Sequence, residues 1–336
     1  MKKSIWIKLS AIALVMIVAV TCFAACAGKD EDGVTSSVTN SGGLKGVFCD
    51  HEYDETVITV ASYNTAGETE YTCSKCGKTY TETEPIKRNY ESGHFATDIS
   101  AVKSTYSTQD YRASSAYQQQ ANGSYRCLEL LEIIAKQMDE GGANATKISS
   151  VKSTWSTQDY RATSAPQQIA NGTYRCLEMA EIIAKELDVD GTYATSISSI
   201  KSTWSTQDYR ATSAPQQQVN GSYRTFEMLV IVAKELDYAD EYSSDIASVK
   251  STWSTQDYRA TSAPQQLVNG TYRTMDILAI IAKELDVQGA YTTNISSVKS
   301  TWSTQDYSAN GAPQQAVNGF YRSMEMLEII AKILDA

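Results

Sequence analysis

The stretch IASVKSTWSTQDYRATSAPQQLVNGTYRTMDILAIIAKELDVQGAYTTN occupies residues 246–294 and is one copy of a 49-residue unit that occurs five times. A fixed period of this length is typical of repeat architectures, in which one small structural element is used many times. The sequence therefore predicts a tandem array over about seven tenths of the chain, and not one large domain. The copies, numbered 1 to 5, begin at Ile99, Ile148, Ile197, Ile246 and Ile295.

Each copy carries apolar residues at helical spacing. In copy 4, Ile246, Val249 and Trp253 recur at i, i+3 and i+7, which places them on one face of a short helix. A second short helical turn is expected after this tryptophan. Residues 269–271 read Asn-Gly-Thr, which is typical of a turn, and we expect them to lead into the longest helix, Tyr272–Leu285. The sequence therefore predicts a mainly α array of five tandem three-helix repeats.

The copies differ least where a loop is expected. The 17 residues Lys152–Gln168 recur letter for letter at Lys201–Gln217 and Lys250–Gln266, whereas the long helix varies by apolar exchanges that cores tolerate. One explanation is recent duplication, with tryptophan and tyrosine forming the core of each module. The other is a repeated contact surface, because flat rings and guanidinium donors suit sugar rings and protein hot spots. The candidate ligand-binding residues of that surface are Trp155, Tyr160, Arg161, Trp204, Tyr209, Arg210, Trp253, Tyr258 and Arg259.

The copies could be arranged in two ways. In a stacked solenoid, apolar faces pass from copy to copy and the last copy turns polar on its outer side. Copy 5 does the opposite, since Ile333 replaces a glutamate and no capping element follows. We therefore expect self-contained modules joined by short linkers such as Val287–Asn294. Cys127 and Cys176 occupy a position that is Thr or Ser in the other copies, and we expect free thiols there, with a disulfide between copies as the alternative.

The N-terminus has the pattern of a secretory signal. Three lysines within the first eight residues precede the apolar run Leu9–Ala25 and then Cys26. The sequence FAAC at residues 23–26 resembles the bacterial lipobox, and the resemblance implies that Cys26 becomes the lipidated first residue of a lipoprotein. The alternatives are a retained membrane helix and cleavage after Ala27. We expect the extracellular face of the cytoplasmic membrane as the location, with the N-terminal lipid as the anchor.

Four residues before the array have the spacing of metal ligands. Cys49-x-His51 is followed by Cys73-x-x-Cys76, and a Cys-x-x-Cys knuckle places two thiolates on one tight turn. Together these four side chains complete a tetrahedral set. We expect a structural zinc ion, because the segment is too short to build a core of its own. A disulfide or free thiols are the main alternative, and a catalytic metal is a distant one.

Residues 49–94 also resemble a small zinc-ribbon-like module that recurs in surface proteins of Gram-positive bacteria. The resemblance implies a small β-rich module. Alternation of polar and apolar residues around 56–60 and 69–72 indicates its short strands. The residues that carry the resemblance are Cys49-Asp50-His51, Tyr71-Thr72-Cys73, Cys76-Gly77, Tyr80-Thr81-Glu82, Pro85 and Gly93-His94.

Composition narrows the possible functions. The formal net charge of -10 argues against nucleic acid as a partner, because nucleic acids select basic surfaces. The sequence has two histidines, His51 and His94, and both precede the array, which excludes histidine-based catalysis within the repeats. We expect a non-catalytic cell-surface lipoprotein whose array binds glycan or cell-wall polymer. A protein-binding adhesin or scaffold is the alternative, and an enzyme accessory protein is a distant third.

These expectations divide the chain into eight segments. They are a signal peptide at 1–25, a flexible linker at 26–45, the zinc-ribbon-like module at 46–94, and helical repeats at 95–147, 148–196, 197–245, 246–294 and 295–336.

Overall fold

A computed structural model of the chain describes residues 50–59, 61, 66–84, 90–162, 164–208, 213–237, 239–255, 262–309 and 311–336. This part of the chain is mainly helical, as expected, with a small antiparallel sheet on its N-terminal side. The strands are β1 (Tyr53–Thr59), β2 (Gly67–Cys73) and β3 (Thr79–Glu84), hydrogen-bonded in the order β1-β2-β3. Among the described residues, no helix has both the length and the hydropathy needed to cross a membrane.

The described residues fall into two compact units. The smaller unit takes its residues from Met1–Thr56 and Glu70–Tyr80, and the larger unit takes its residues from Val57–Thr69 and Thr81–Ala336. The smaller unit contains His51, Cys73 and Cys76. The larger unit contains every α-helix of the described part.

Short and long helices alternate along the larger unit. The short helices have 13 residues, and the long helices have 23 or 24. The short helices are α1 (Ala96–Thr108), α3 (Ala145–Thr157), α5 (Ala194–Thr206), α7 (Ser243–Thr255) and α9 (Thr292–Thr304). The long helices are α2 (Ala116–Met138), α4 (Ala165–Leu187), α6 (Ala214–Leu236), α8 (Ala263–Leu285) and α10 (Ala312–Asp335). Three-residue 3-10 turns join short to long helix at Asp110–Arg112, Asp159–Arg161 and Asp306–Ser308.

The long helices begin earlier than the sequence pattern indicated. In copy 4, α8 starts nine residues before Tyr272, so the Asn-Gly-Thr segment that was expected to form a turn lies inside the helix. The start is encoded by Ser262, which is extended at the N-cap, and by Pro264, whose missing amide is harmless in the first turn. In copy 2 the equivalent Ser164 hydroxyl accepts a hydrogen bond from the Gln167 amide.

The five long helices close into a ring. Each packs against the next (α2 on α4, α4 on α6, α6 on α8, α8 on α10), and α10 packs against α2. They run parallel, because first turns meet first turns and last turns meet last turns. Gln118 Nε2 lies 3.4 Å from Gln168 Oε1 near the start, and Gln137 Nε2 donates to the Ala331 carbonyl at 2.9 Å near the end. The expectation of self-contained modules is therefore wrong.

Each short helix packs in the groove between its own long helix and the preceding one. Thus α3 contacts α2 and α4, and α1 contacts α2 and α10. One aromatic residue anchors each short helix by packing on a tyrosine of the preceding long helix, as Trp155 does on Tyr125 with ring centroids 5.6 Å apart. At the junction of copy 5 with copy 1, which we call the seam, Tyr106 stacks on Tyr321 at 4.9 Å.

The tryptophans are core residues and do not form an exposed row. Trp155, Trp204 and Trp253, which the sequence offered as part of a contact surface, have 0%, 1% and 0% of their surface exposed. This corrects the expectation of an exposed tryptophan surface, because a buried ring cannot stack on a ligand without local unfolding. The apolar exchanges along the long helices lie in the same continuous core.

Glycine sets the distance between neighbouring long helices. A Cβ atom at Gly270 would lie 2.9 Å from Ser222 Oγ on α6 and 3.0 Å from Trp253 Cη2 on α7. The helices can approach this closely only because position 270 has no side chain. The equivalent glycine recurs in every copy, which explains a residue that is otherwise unfavourable inside a helix.

The hydrogen bonds of the linkers between copies recur at the seam, although the chain is not continuous there. In the linker between copies 4 and 5, the Asp286 side chain accepts a hydrogen bond from the Tyr291 amide at 2.9 Å. The Asp286 carbonyl accepts another from the Gly289 amide at 2.8 Å. Asp335 makes the equivalent two hydrogen bonds with residues far away in sequence. Its side chain accepts one from the Phe95 amide at 2.9 Å, and its carbonyl accepts one from the Gly93 amide at 2.8 Å. The apolar end of copy 5 is therefore covered by copy 1.

Candidate functional sites

Three of the four predicted metal ligands lie together in the smaller unit. His51 Nδ1 is 3.4 Å from Cys73 Sγ and 3.3 Å from Cys76 Sγ, and the three ligand atoms lie within 4.8 Å of one another. In a tetrahedral zinc site with the usual bond lengths, an imidazole nitrogen and a thiolate sulfur are about 3.6 Å apart. The cluster could hold a metal ion, although the separation limit of 4.8 Å exceeds by about 1 Å the distance of about 3.8 Å between two thiolates on one tetrahedral zinc ion. Cys49, the fourth predicted ligand, lies outside the described residues.

The local backbone prepares Cys73 to act as a thiolate. Cys73 ends β2, and the tight turn behind it is held by the Gly77 amide, which donates to the Cys73 carbonyl at 2.8 Å. Desolvation works to raise the pKa of the Cys73 thiol, but hydrogen bonds from His51 and from nearby backbone amides outweigh it and lower the pKa to about 5. A thiolate is the form that binds metal. Cys73 and Cys76 form no disulfide.

A narrow apolar cavity of about 40 Å³ runs along the axis of the ring, lined by all five long helices. Several polar side chains of the lining donate hydrogen bonds to backbone carbonyls: Cys176 Sγ donates to the Ser124 carbonyl at 3.5 Å, and Thr225 Oγ1 donates to the Thr173 carbonyl at 3.1 Å. The lining residues are Cys127, Leu131, Thr173, Cys176, Ser222, Thr225, Leu229, Thr271, Thr274, Leu278, Phe320, Ser323 and Leu327.

The two cysteines of this cavity are unreactive core residues. Cys127 and Cys176 are free thiols, as the sequence predicted. Burial raises the pKa of Cys176 to about 12, and burial also raises the pKa of Cys127 well above its usual range. Neutral thiols that donate to carbonyls substitute for the hydroxyls of the other copies, which is why this position accepts Cys, Thr or Ser.

The invariant 17-residue segment lies at the end of the ring that carries the first turns of the long helices, which we call the loop end. Several of its residues have structural roles. Asp208 forms an ion pair with Arg224 of the long helix at 2.6 Å. Gln168 Nε2 supports the turn by donating to the Ala162 carbonyl at 3.1 Å, and Gln167 Nε2 lies 3.3 Å from Gln217 Oε1 of the next copy.

Tyr111, Arg112 and Arg161 of the 3-10 turns are different, because they face solvent. Tyr111 is 41% exposed, and its hydroxyl donates to Asn318 of copy 5 at 3.4 Å. Arg112 and Arg161 are exposed and have no ion pair with any described residue. Neither arginine contributes to the core.

The structure describes the predicted contact residues in part. It places the three tryptophans in the core and Arg161 on the surface. The side chain of Tyr160 and the whole of Tyr209, Arg210, Tyr258 and Arg259 lie outside the described residues, as does Cys26. Sequence reasoning did not find the axial cavity, although the recurring small residue at positions 127, 176, 225, 274 and 323 was a signal of close helix packing.

Comparison with known protein families, with curated proteins and with solved structures finds no match to this chain.

Proposed function

We propose that the chain is a non-catalytic, lipid-tethered protein of the cell envelope whose helical ring binds glycan or cell-wall polymer at its loop end. The observation that carries the proposal is an exposed Tyr-Arg pair, described at Tyr111 and Arg112 of copy 1 and, for the arginine alone, at Arg161 of the invariant segment in copy 2. One side of the Tyr111 ring lies near Tyr106 and Tyr321, with ring centroids 6.0 Å apart in both cases, but the two arginines have no ion pair with any described residue that would explain their presence. An exposed ring beside a guanidinium suits a sugar, which offers C–H faces and hydroxyls.

The ring form favours multivalent binding. Long helices run parallel, so the start of each lies at one end of the ring. The Tyr-Arg pair occurs in copies 1 to 4, and Ser308 replaces the arginine in copy 5. A polymer with repeating units could engage several pairs together, and affinity then grows through effective concentration.

The test is sedimentation of the full chain with purified cell wall. The variant R112A/R161A/R210A/R259A should lose at least tenfold in binding while its helical circular dichroism is unchanged. The matched control is V189S/V287S, which alters the exposed linker residues at the other end of the ring and should bind like the wild type. Equal binding by the arginine variant would refute the loop-end site, and capture of an extracellular protein in place of cell wall would favour the adhesin.

The metal in the smaller unit belongs to the same proposal as a structural zinc ion, with Cys49 as its fourth ligand. Zinc would supply folding free energy to a segment that has few buried residues. Native mass spectrometry of residues 46–94 should show one zinc ion, and a chelator should abolish the near-ultraviolet signal of its tyrosines. A metal-free fragment containing a Cys49–Cys73 or Cys73–Cys76 disulfide would contradict this.

The tether is proposed from the lipobox at residues 23–26. Cys26→Ser should release the protein from membranes into the medium. Retention of the variant in the membrane with an intact N-terminus would indicate a spanning helix.

A further inference from the structure

Most junctions between copies share an arrangement of lysine and glutamate. At the junction of copies 2 and 3, Lys201 of the short helix α5 lies 3.0 Å from Glu178 and 2.9 Å from Glu181, both on the long helix α4. Glu181 also pairs with Lys185 one turn further along α4, at 2.6 Å. A single glutamate therefore neutralises two lysines, one from each side of the junction.

The seam and the junction of copies 1 and 2 follow the same plan. Glu132 pairs with Lys152 at 2.9 Å and with Lys136 at 2.7 Å. At the seam, Glu328 pairs with Lys103 at 2.7 Å and with Lys332 at 2.6 Å. The arrangement thus occurs at three of the five junctions of the ring.

The junction of copies 3 and 4 lacks this glutamate. Val230 stands where three other junctions have Glu132, Glu181 and Glu328, and it is buried. Ala279 stands there at the junction of copies 4 and 5, where Lys299 keeps an ion pair with Asp276 at 3.1 Å.

Lys234 and Lys250 are both exposed, and neither has an ion pair with any described residue, although Glu227 stands where Glu178 pairs with Lys201. The valine at position 230 therefore deprives both lysines of the carboxylate that they would otherwise share.

These two lysines line an open groove of about 430 Å³ between the end of α6 and one face of α7. The other lining residues are Ser243, Ile246, Ala247, Ser251 and Ser254. The groove residues of α7 recur at i, i+3, i+4, i+7, i+8 and i+11, which is one helix face about 16 Å long. The groove therefore offers two ammonium groups and the Ser251 hydroxyl as donors. The Ser243 hydroxyl already lies 3.1 Å from carboxylate oxygens of Asp237 and Asp240, and the Ser254 hydroxyl donates to the Lys250 carbonyl at 2.9 Å.

We propose that this groove binds phosphate groups. Ammonium and hydroxyl donors match the oxygens of a phosphate, and the two positive charges are not neutralised by a protein carboxylate. The inference does not rest on the loop-end site, since the two share no residue.

The experiment is a titration of the full-length, ¹⁵N-labelled protein with inorganic phosphate and with polyphosphate, followed by backbone amide shifts. Both ligands should shift the amides of residues 243–254. Polyphosphate, compared at equal phosphate concentration, should bind at least fivefold more tightly if the natural ligand is a chain. Equal affinities would assign the groove to single phosphate groups.

The decisive variant is V230E, which introduces the glutamate that three other junctions have at this position. It should weaken phosphate binding at least fivefold, as should K234Q/K250Q, in which both side chains are exposed and removal of charge leaves the fold intact. The matched control K201Q changes the equivalent lysine of α5 and should bind like the wild type. Unchanged binding by V230E, or equal shifts along residues 194–205 of α5, would overturn the proposal.

Discussion

At the residue scale, the seam differs from the other junctions by a matched exchange of sizes. Four junctions pair a tryptophan of the short helix with Ser or Thr beside the packing glycine, as Trp302 does with Thr271. The seam pairs the smaller Tyr106 with the larger Phe320, and a Cβ atom at Gly123 would lie 2.9 Å from Phe320 Cβ. The two departures from the repeat therefore compensate for each other and distinguish the seam from every other junction.

This compensation predicts strong coupling between the two residues. Y106W alone should overpack the seam and cost about 1–3 kcal/mol. F320T alone should leave a cavity and cost about 2–4 kcal/mol. The double variant recreates a regular junction, so its loss should be smaller than the sum by about 1–3 kcal/mol. Urea unfolding of the four proteins measures the cycle. As a control, Y106W combined with the distant S222T should give additive losses of stability. Additive losses for Y106W and F320T would contradict the predicted coupling.

A second residue, Glu284, introduces a pH dependence at the junction of copies 4 and 3. Desolvation, the charges of Asp237 and Glu241, and a hydrogen bond with Asp237 raise the pKa of Glu284 from its usual 4.5 to about 7. The folded state then holds a proton that the unfolded state releases near pH 4.5. This contribution to stability is complete at low pH and is lost as the pH rises from about 4.5 through 7.

The variant E284Q should therefore be more stable than the wild type at pH 8 and similar at pH 4. Because the side chain is half-exposed, we discount the effect for solvent screening to about 1 kcal/mol, or about 2–4 °C in Tm. Thermal unfolding at the two pH values measures it. As a control, E186Q alters the equivalent residue, which accepts a hydrogen bond from Asn144 at 2.8 Å, and should not raise Tm at pH 8. A parallel pH profile for E284Q and wild type would refute the assignment.

At the element scale, the long helices are shaped by their partners more than by helix propensity. Glycine is unfavourable inside a helix, yet each long helix has one about a third of the way along, where the neighbouring helix and the short-helix aromatic both approach. The same feature made the Asn-Gly-Thr segment resemble a turn in the sequence. Local propensity is overruled here by the packing of a second and a third helix.

The variant G270A should destabilise the protein although alanine is the better helix former. The gain of about 1 kcal/mol in propensity is outweighed by overpacking against Ser222 and Trp253, and the expected net loss is about 1–2 kcal/mol. Urea unfolding checks this. S248A, at an exposed position of α7, serves as the control and should be neutral or slightly stabilising. A more stable G270A would show that the helices can separate at no cost.

At the scale of the whole molecule, closure explains why the period never varies. Residues 92–336 contain five full periods of 49 residues, so Ala336 and Ser92 occupy the places of Val287 and Gln288 in the linker between copies 4 and 5. Ser92 Oγ donates to the Ala336 carbonyl at 2.6 Å. An insertion in any copy would displace the contacts on both sides of it and open the ring.

A circular permutant should therefore fold. In this permutant, Ala336 is joined directly to Ser92 and the chain is opened at Gly141, in the exposed loop after α2. It should have the same helical content as the wild type and a Tm within about 5 °C of it. The excised single copy 243–285 should be unfolded, because Trp253 loses Tyr223 of the preceding long helix. A cooperative transition in the single copy would restore the hypothesis of self-contained modules.

The sequence by itself determined the helical class, the repeat, the amphipathic long helix and the spacing of the metal ligands, because these depend on residues close together in the chain. Only the tertiary structure decided that the array is a ring. Beads, an open solenoid and a ring share the same pattern within one copy, and they differ in the angle between successive copies. That angle is set by contacts such as Gly270 with Ser222, and closure depends on Asp335 meeting Phe95 from 240 residues away. Burial of the tryptophans follows from the same contacts, since each ring is covered by the helix of another copy.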